Sequence, residues 1–316
     1  RVRRALRRRA YDFQPDDRTE HPCPLCGDAD FEPVVAKDGF RMVACRGCGL
    51  WYLNPMPSEA RLGSLYEQEY FANADSLSAG YEDYATRGED FREVFAHRLA
   101  ALPPEVEGGR LLDVGAGFGY LLDAAEGKFS ERWAVERSPD AVEALQGKGT
   151  VCRGTLAEVE LPNSYFDVVS LQDCLEHFRD PREALLRIRE VLRPGGRVIL
   201  VTPNTDSLLA KLQRRSWVSL KFPEHVVLFQ PGTLKRILEE TGFIIETRTA
   251  AGQYARLDFL VSRVLSGYPR LASLAQASVA KLGGAHLRFW VGSGSLQVVA
   301  AGALASVAPP ERPSAD

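Results

Sequence analysis

The chain has 316 residues, of which 45% are hydrophobic and 26% charged, with a formal net charge of −3. This composition supports a large buried core and argues against a general polyanion binder. No run of about 18 apolar residues is present, so no spanning helix is expected, and without a secretory signal pattern a cytoplasmic location is expected.

Six arginines stand among the first nine residues. Such a run serves either as an arm for anionic lipid or nucleic acid or as a solvated terminus. The expectation is a flexible basic arm over residues 1–20. Residues 21–53 carry Cys23-Pro-Leu-Cys26 and Cys45-Arg-Gly-Cys48, two C-x2-C pairs separated by 18 residues. That is zinc-ribbon spacing, because a two-residue gap lets one tight turn aim two thiolates at one ion. Short strands over 31–35 and 40–44, joined by the turn Lys37-Asp38-Gly39, would bring the four sulfurs together around Zn2+. Four thiolates leave no open coordination position, so the metal is assigned a structural role. Cys152 and Cys174 read as small buried apolar residues.

Asn54-Pro55-Met56-Pro57 reads as a linker, followed by a helix over 58–66 with Ser58 as N-cap. Residues 71–84 read as loop and 89–102 as a helix ended by Pro103-Pro104. Strands over 110–114, 131–136, 150–153, 166–172, 197–202, 243–249 and 296–301 then alternate with helices over 118–126, 139–146, 181–192 and 233–241. Alternation of this kind predicts an α/β doubly wound, mostly parallel sheet. The main domain is placed at 108–304, with a helical insertion over 251–290 suggested by the spacing of Leu257, Leu260, Val261, Val264, Leu265, Leu271, Leu274 and Leu282. Such helices suit a homodimer, a weak membrane-surface contact, or a cover for the core. Residues 305–316 read as a disordered tail.

Asp113-Val114-Gly115-Ala116-Gly117-Phe118-Gly119 follows the first of these strands and opens a helix. Glycines remove Cβ atoms where a ligand approaches the backbone, and a helix start offers N–H groups. The pattern is not the G-x-G-x-x-G of a nicotinamide enzyme. Asp113 would oppose a pyrophosphate but suits a ligand bearing an ammonium and a sulfonium. Glu136 ends the second strand 19 residues past Gly117, where a carboxylate accepts hydrogen bonds from both ribose hydroxyls. Together they favour an adenosyl ligand with a positive centre.

Residues 111–119, with Phe166-Asp167-Val168-Val169-Ser170, Leu175-Glu176-His177 and Leu192-Arg193-Pro194-Gly195-Gly196 in order, resemble the motifs of class I S-adenosylmethionine-dependent methyltransferases. The ribbon followed by Asn54-Pro55-x-Pro57 resembles a subgroup of sugar and small-metabolite methyltransferases. The resemblance implies a Rossmann-like seven-stranded methyltransferase sheet with S-adenosyl-L-methionine bound at Asp113, Gly115, Ala116, Gly117, Gly119, Glu136, Leu156 and Gln172. Of these, Gln172 and the glycine turn would hold the methionine part, Glu136 the ribose and Leu156 the adenine. Thr155 stands where the family often has an acidic residue for the adenine amino group. Residues 54–107, with Tyr81 and Tyr84, would cover the cofactor.

The sulfonium is already a strong electrophile, so the protein mainly aligns a nucleophile and removes water. His177 and His225, the latter in Lys221-Phe222-Pro223-Glu224-His225, are candidate bases at the carboxyl edge of the sheet. Trp217, Phe222 and Phe229 are candidates to line the pocket. The expected reaction is O-methylation of a hydroxylated small molecule such as a sugar or glycolipid intermediate. C-methylation of a nucleotide sugar, RNA methylation and cofactor binding without turnover are the alternatives. The acidic charge balance argues against a nucleic-acid partner.

Overall fold

The computed structural model describes residues 13–37, 39–67, 88–257, 261, 269–281, 283–284 and 287–303. The arginine run, the 71–84 loop with Tyr81 and Tyr84, most of the apolar repeat over 257–265, and the tail lie outside these residues.

Near the N-terminus, β1 (Arg18–Thr19) is followed by the expected hairpin of β2 (Phe31–Lys37) and β3 (Phe40–Cys45), with Phe31 opposite Cys45 and Lys37 opposite Phe40. A third strand, β4 (Trp51–Leu53), adds to β3. Residues 54–57, expected as a linker, are instead packed. β5 (Met56–Pro57) pairs with β1, Asn54 donates its N–H to the Arg41 carbonyl at 3.0 Å, and Met56 is 1% exposed. An apolar Met between two prolines is buried here rather than solvated. Helix α1 (Glu59–Glu67) then starts at Ser58, whose hydroxyl accepts the Arg61 N–H at 3.4 Å.

After α2 (Gly88–Leu99), the main domain runs β6 (Arg110–Val114), α3 (Tyr120–Ala124), β7 (Glu131–Glu136), α4 (Pro139–Ala144), β8 (Thr150–Arg153), β9 (Phe166–Gln172), α5 (Pro181–Val191), β10 (Leu192–Pro203), α6 (Leu208–Gln213), β11 (Val227–Leu228), α7 (Pro231–Glu240), β12 (Phe243–Arg256), α8 (Pro269–Lys281) and β13 (Arg288–Gly302). Seven strands form one sheet in the order β12-β13-β10-β9-β6-β7-β8. Neighbours from β10 to β8 are parallel, while β13 is antiparallel to both β10 and β12. Both faces are covered. Leu112, Val169, Val198 and Leu200 join one apolar cluster, and their chain neighbours Leu111, Val168 and Ile199 join the other. A sheet buried on both sides needs continuous apolar runs, which is how these strands read.

The 251–290 region departs from the expected helical insertion. Residues 251–256 and 288–290 are strand, and helix occupies Pro269–Lys281. Tyr254 sits opposite Trp290, and Gln253 opposite Val291. Aromatic and β-branched cross-strand pairs favour this extended ribbon.

The small β11 was not foreseen. It pairs antiparallel with β4, so the N-terminal module and the segment after β10 share a four-stranded sheet, β11-β4-β3-β2. Met42, Tyr52, Leu53, Phe229, Leu234 and Ile237 belong to one core cluster that spans both parts. Phe229 is fully buried there, and Phe229→Ala is expected to cost about 3–5 kcal/mol of stability. Denaturant unfolding followed by fluorescence and by far-UV circular dichroism should give one coincident transition. Separate transitions for the ribbon and the main domain would contradict a shared core.

Candidate active site

A cavity of about 1540 Å³ opens along the carboxyl edge of the sheet. Gly115, Gly117, Glu136, Leu156, Gln172, His177 and His225 all line it. Asp113, Ala116 and Gly119 lie behind this lining. A Cβ on Gly119 would meet Leu145 Cδ2 at 2.6 Å and Lys148 Cδ at 2.9 Å, so this glycine permits packing against α4 rather than ligand approach.

The glycine turn is clasped to β7. Gly115 and Ala116 donate their N–H groups to the Val135 carbonyl, at 2.9 and 3.3 Å. Glu136 Oε2 accepts the Gly117 N–H at 2.8 Å, and its Oε1 accepts those of Arg137 and Ser138, both at 2.8 Å. The N–H groups expected to face a ligand are therefore largely engaged, and the buried carboxylate of Glu136 sets the shape of the turn. Burial pushes the Asp113 carboxyl up to about 7, against a hydrogen bond from Ser170 and with the Glu136 charge adding to the rise. Asp113 Oδ1 has no hydrogen-bond partner, and a buried carboxylate oxygen left open in this way suits a nearby cation. On the far side of the turn, Thr155 donates both its N–H and its hydroxyl to Glu158 Oε2, at 2.9 and 2.8 Å. Glu158 also lines the cavity, so a carboxylate stands beside position 155.

Arg98 was not foreseen. It is buried on the apolar face of α2 with Val94, Phe95 and Leu99, and it lines the cavity. Its Nη1 donates to Gln172 Oε1 at 2.9 Å and lies 3.4 Å from Asp173 Oδ2. An arginine four residues after Val94 on an otherwise apolar stripe is the signal that marks it. Asp173 has φ of 50°, a left-handed conformation unusual outside glycine, fixed by its N–H to the Val201 carbonyl at 2.8 Å.

At the other end the two histidines meet edge to face, with ring centroids 4.7 Å apart. His225 Nδ1 lies 2.8 Å from the Ser219 carbonyl, and His177 Nδ1 lies 3.0 Å from that of Glu224. A carbonyl only accepts, so each Nδ1 carries the proton, and in neutral His225 Nε2 is an acceptor. Burial, with Lys221 adding to it, pulls His177 down to about 4. Burial, His177 and Lys221 hold His225 well below the ordinary histidine value. Glu176, fully buried beside them, is pushed up to about 8, chiefly by burial, while its Oε2 accepts the Thr202 hydroxyl at 2.9 Å. Trp217, Phe222 and Phe229 do not line the cavity. They are buried in the core cluster, where large apolar rings gain most from leaving water.

The four cysteines Cys23, Cys26, Cys45 and Cys48 come together, with every pair of sulfurs within 4.8 Å. Gly27 and Gly49, at φ of 77° and 81°, close the two knuckles by donating to the Cys23 and Cys45 carbonyls. Four thiols on two such knuckles fit a tetrahedral zinc ion. Each knuckle also touches one histidine-bearing arm. Arg182, at the start of α5 and five residues past His177, donates to the Leu25 carbonyl at 3.1 Å. Gln230, five residues past His225, donates to the Gly49 carbonyl at 3.0 Å.

A Rossmann-like sheet with a glycine turn clasped by an acidic residue at the end of the next strand defines an adenosyl-cofactor enzyme. The profile described as "Methyltransferase domain" matches residues 86–247, and this chain belongs to the class I S-adenosylmethionine-dependent methyltransferases. It is 31% identical over 157 residues to the mitochondrial ubiquinone biosynthesis O-methyltransferase of Schizosaccharomyces pombe, covering 46% of this chain and 53% of that protein. It is 34% identical over 104 residues to the ubiquinone/menaquinone biosynthesis C-methyltransferase UbiE of Burkholderia mallei, covering 30% and 43%. The chain thus spans about half the length of the curated relatives it matches. A chain in the solved complex of the Haloferax volcanii Trm112 methyltransferase activator with a methyltransferase is similar in fold. Its TM-score is 0.51 at 17% identity, over 73% of this chain and 98% of that one. Among the described residues, no helix is long and apolar enough to cross a membrane.

Glu136→Ala should remove the clasp on Gly117 together with the carboxylate at the end of β7 that lines the cavity. Two charge-assisted hydrogen bonds are worth about 1.5–3 kcal/mol each, so S-adenosylmethionine affinity measured by calorimetry is expected to fall at least about tenfold. Unchanged affinity would remove Glu136 from the cofactor site.

Proposed function

We propose that this enzyme methylates a hydroxyl oxygen of an amphiphilic small molecule, a glycolipid or a hydroxylated ring with an apolar tail, with His225 as the base. The observation that carries this reading is the buried, neutral His225 with Nδ1 bound to a carbonyl. It stands at the end of a cavity whose other lining includes Phe91, Val94, Phe95, Leu209, Val218 and Val291. The similarity to an O-methyltransferase of ubiquinone biosynthesis supports an acceptor of this kind.

In this reading Gly115, Gly117 and Gln172 hold the methionine part, with Gln172 oriented by Arg98. Glu136 accepts the ribose hydroxyls, while Leu156 and Glu158 border the adenine. S-adenosylmethionine supplies an electrophilic methyl group on its sulfonium. His225 takes the acceptor's hydroxyl proton on Nε2 as the oxygen bonds to the methyl carbon, leaving a methyl ether and S-adenosylhomocysteine. The imidazolium then returns its proton to solvent. His177, set edge-on and held by the Glu224 carbonyl, positions His225.

S-adenosylhomocysteine release should be screened against glycolipids, hydroxylated aromatics with apolar tails, and sugar nucleotides. On the accepted class, His225→Ala is expected to lower turnover by about 10²–10⁴-fold without changing cofactor affinity. Because burial depresses the histidine, the neutral base persists in the folded protein below the ordinary value of 6.5. His225 should therefore keep its capacity as base as pH falls through 6.5, and a loss of turnover in that range is expected only through protonation of Asp113 and weaker cofactor binding. His225's own share of the stability should decline with acid from there, since its imidazole takes up a proton in the unfolded chain that the folded one refuses, while the raised Asp113 and Glu176 carboxyls act in the opposite sense. Full turnover of the alanine variant would overturn the assignment. The likeness to UbiE supports C-methylation as a second reading, and NMR of the product separates carbon from oxygen.

We also infer that Cys23, Cys26, Cys45 and Cys48 bind Zn2+, which braces the acceptor end through Arg182 and Gln230. Chelation should lower acceptor turnover and raise amide exchange over residues 219–229 while S-adenosylmethionine affinity holds within about twofold, because the cofactor half makes its own contacts. Unchanged exchange in metal-depleted protein would separate the ribbon from the site.

A further inference from the structure

Short helix α6 stands at the edge of the acceptor end. Leu209 and Gln213 line the cavity and Ala210 is buried, whereas Leu208 and Leu212, one turn apart, are 73% and 71% exposed. A single exposed leucine is unremarkable, but the cations beside this pair are not. Arg214 and Arg215 follow immediately, both exposed, with no carboxylate partner among the described residues. Among the described residues Lys211 pairs with Asp206, at 3.4 Å between two exposed side chains, a pairing of little strength. In a chain of net charge −3 this is a local cationic edge beside an apolar one.

The outer ribbon of β12 and β13 adds further exposed apolar side chains beside the cavity. Val291 and Tyr254 line the cavity, while the adjacent Phe289 and Trp290 are 45% and 41% exposed. The Trp290 ring is held between Tyr254 and His97, with centroids 5.0 and 4.4 Å away. Helix α8, between these strands in the chain, exposes Leu271 and Leu274. Half-exposed Trp and Phe with exposed leucines and arginines is the side-chain set that seats a protein in the headgroup layer of a bilayer.

We propose that α6 and the outer β12–β13 ribbon dock this enzyme on an anionic bilayer surface, presenting the acceptor end of the cavity to the membrane. The inference deepens the amphiphilic-acceptor reading and rests on it for its purpose, because an acceptor with an apolar tail is delivered there without crossing water. Arginines attract the anionic headgroups, leucines and tryptophan enter the interfacial layer, and no segment spans.

The test is co-sedimentation of the full chain, without acceptor, with phosphatidylcholine vesicles that contain or lack phosphatidylserine, at low and high salt. Binding is expected only to the anionic vesicles and should weaken with salt. L208E/L212E and R214E/R215E should each reduce it at least about tenfold, with S-adenosylmethionine affinity and thermal melting unchanged. No binding by the parent chain, or equal binding by both double variants, overturns the proposal. So does light scattering that shows Leu208 and Leu212 covered in a homodimer. Turnover of a detergent-dispersed amphiphile by protein that ignores vesicles would sink the docking alone. Vesicle binding with turnover only on water-soluble sugar nucleotides would sink the acceptor reading alone.

Discussion

Val226 is bonded on both sides through its backbone. Its N–H donates to the Glu176 carbonyl at 3.0 Å, and its carbonyl accepts the Leu53 N–H at 2.9 Å. One neighbour is the segment that carries His177, the other is the N-terminal ribbon, and Val226 itself follows His225. The acceptor end therefore takes its shape from three stretches of chain that converge at one residue. Backbone bonds buried this well are costly to leave unmade, so the arrangement is stiff whatever side chain stands at 226.

The two halves of the cavity are built differently, and this governs what the sequence discloses. The cofactor half is local. Gly117, in the turn after β6, and Glu136, at the end of β7, belong to one βαβ unit, and the 19-residue step between them is visible in the chain. The strands themselves are legible because both faces are buried, which leaves runs such as 198–201 without polar interruption. The acceptor half is assembled from distant pieces. β11 is two residues inside an apolar run, with no turn chemistry to bound it, and only its partner β4, far earlier in the chain, makes it a strand. Arg98 escaped because a helix with mixed polarity hides one buried charge. Both histidines were visible through their motifs, but their contact with each other is tertiary.

The aromatic residues near His225 show the complementary limit. Trp217, Phe222 and Phe229 flank a site residue in the chain yet turn into the core, because proximity in sequence does not fix which side of a loop faces solvent. The apolar repeat after residue 250 misled in another way. Residues 251–256 carry Tyr254 into a strand whose partner lies more than thirty residues later, and no local period reports that pairing.

The β12–β13 ribbon changes register between Ala251 and Gly252, where the partner of Ala251 is Ser295 and that of Gly252 is Gly292. Such a bulge bends and twists the strands beyond it. Inside the seam the pair belongs to the sheet, and outside it the pair forms a wall of the cavity that leans on α2 through Trp290 and Arg288. Insertions or exchanges beyond the seam leave the inner ladder in register. The seam thus divides one strand pair into an inner part that closes the sheet and an outer part that borders the cavity.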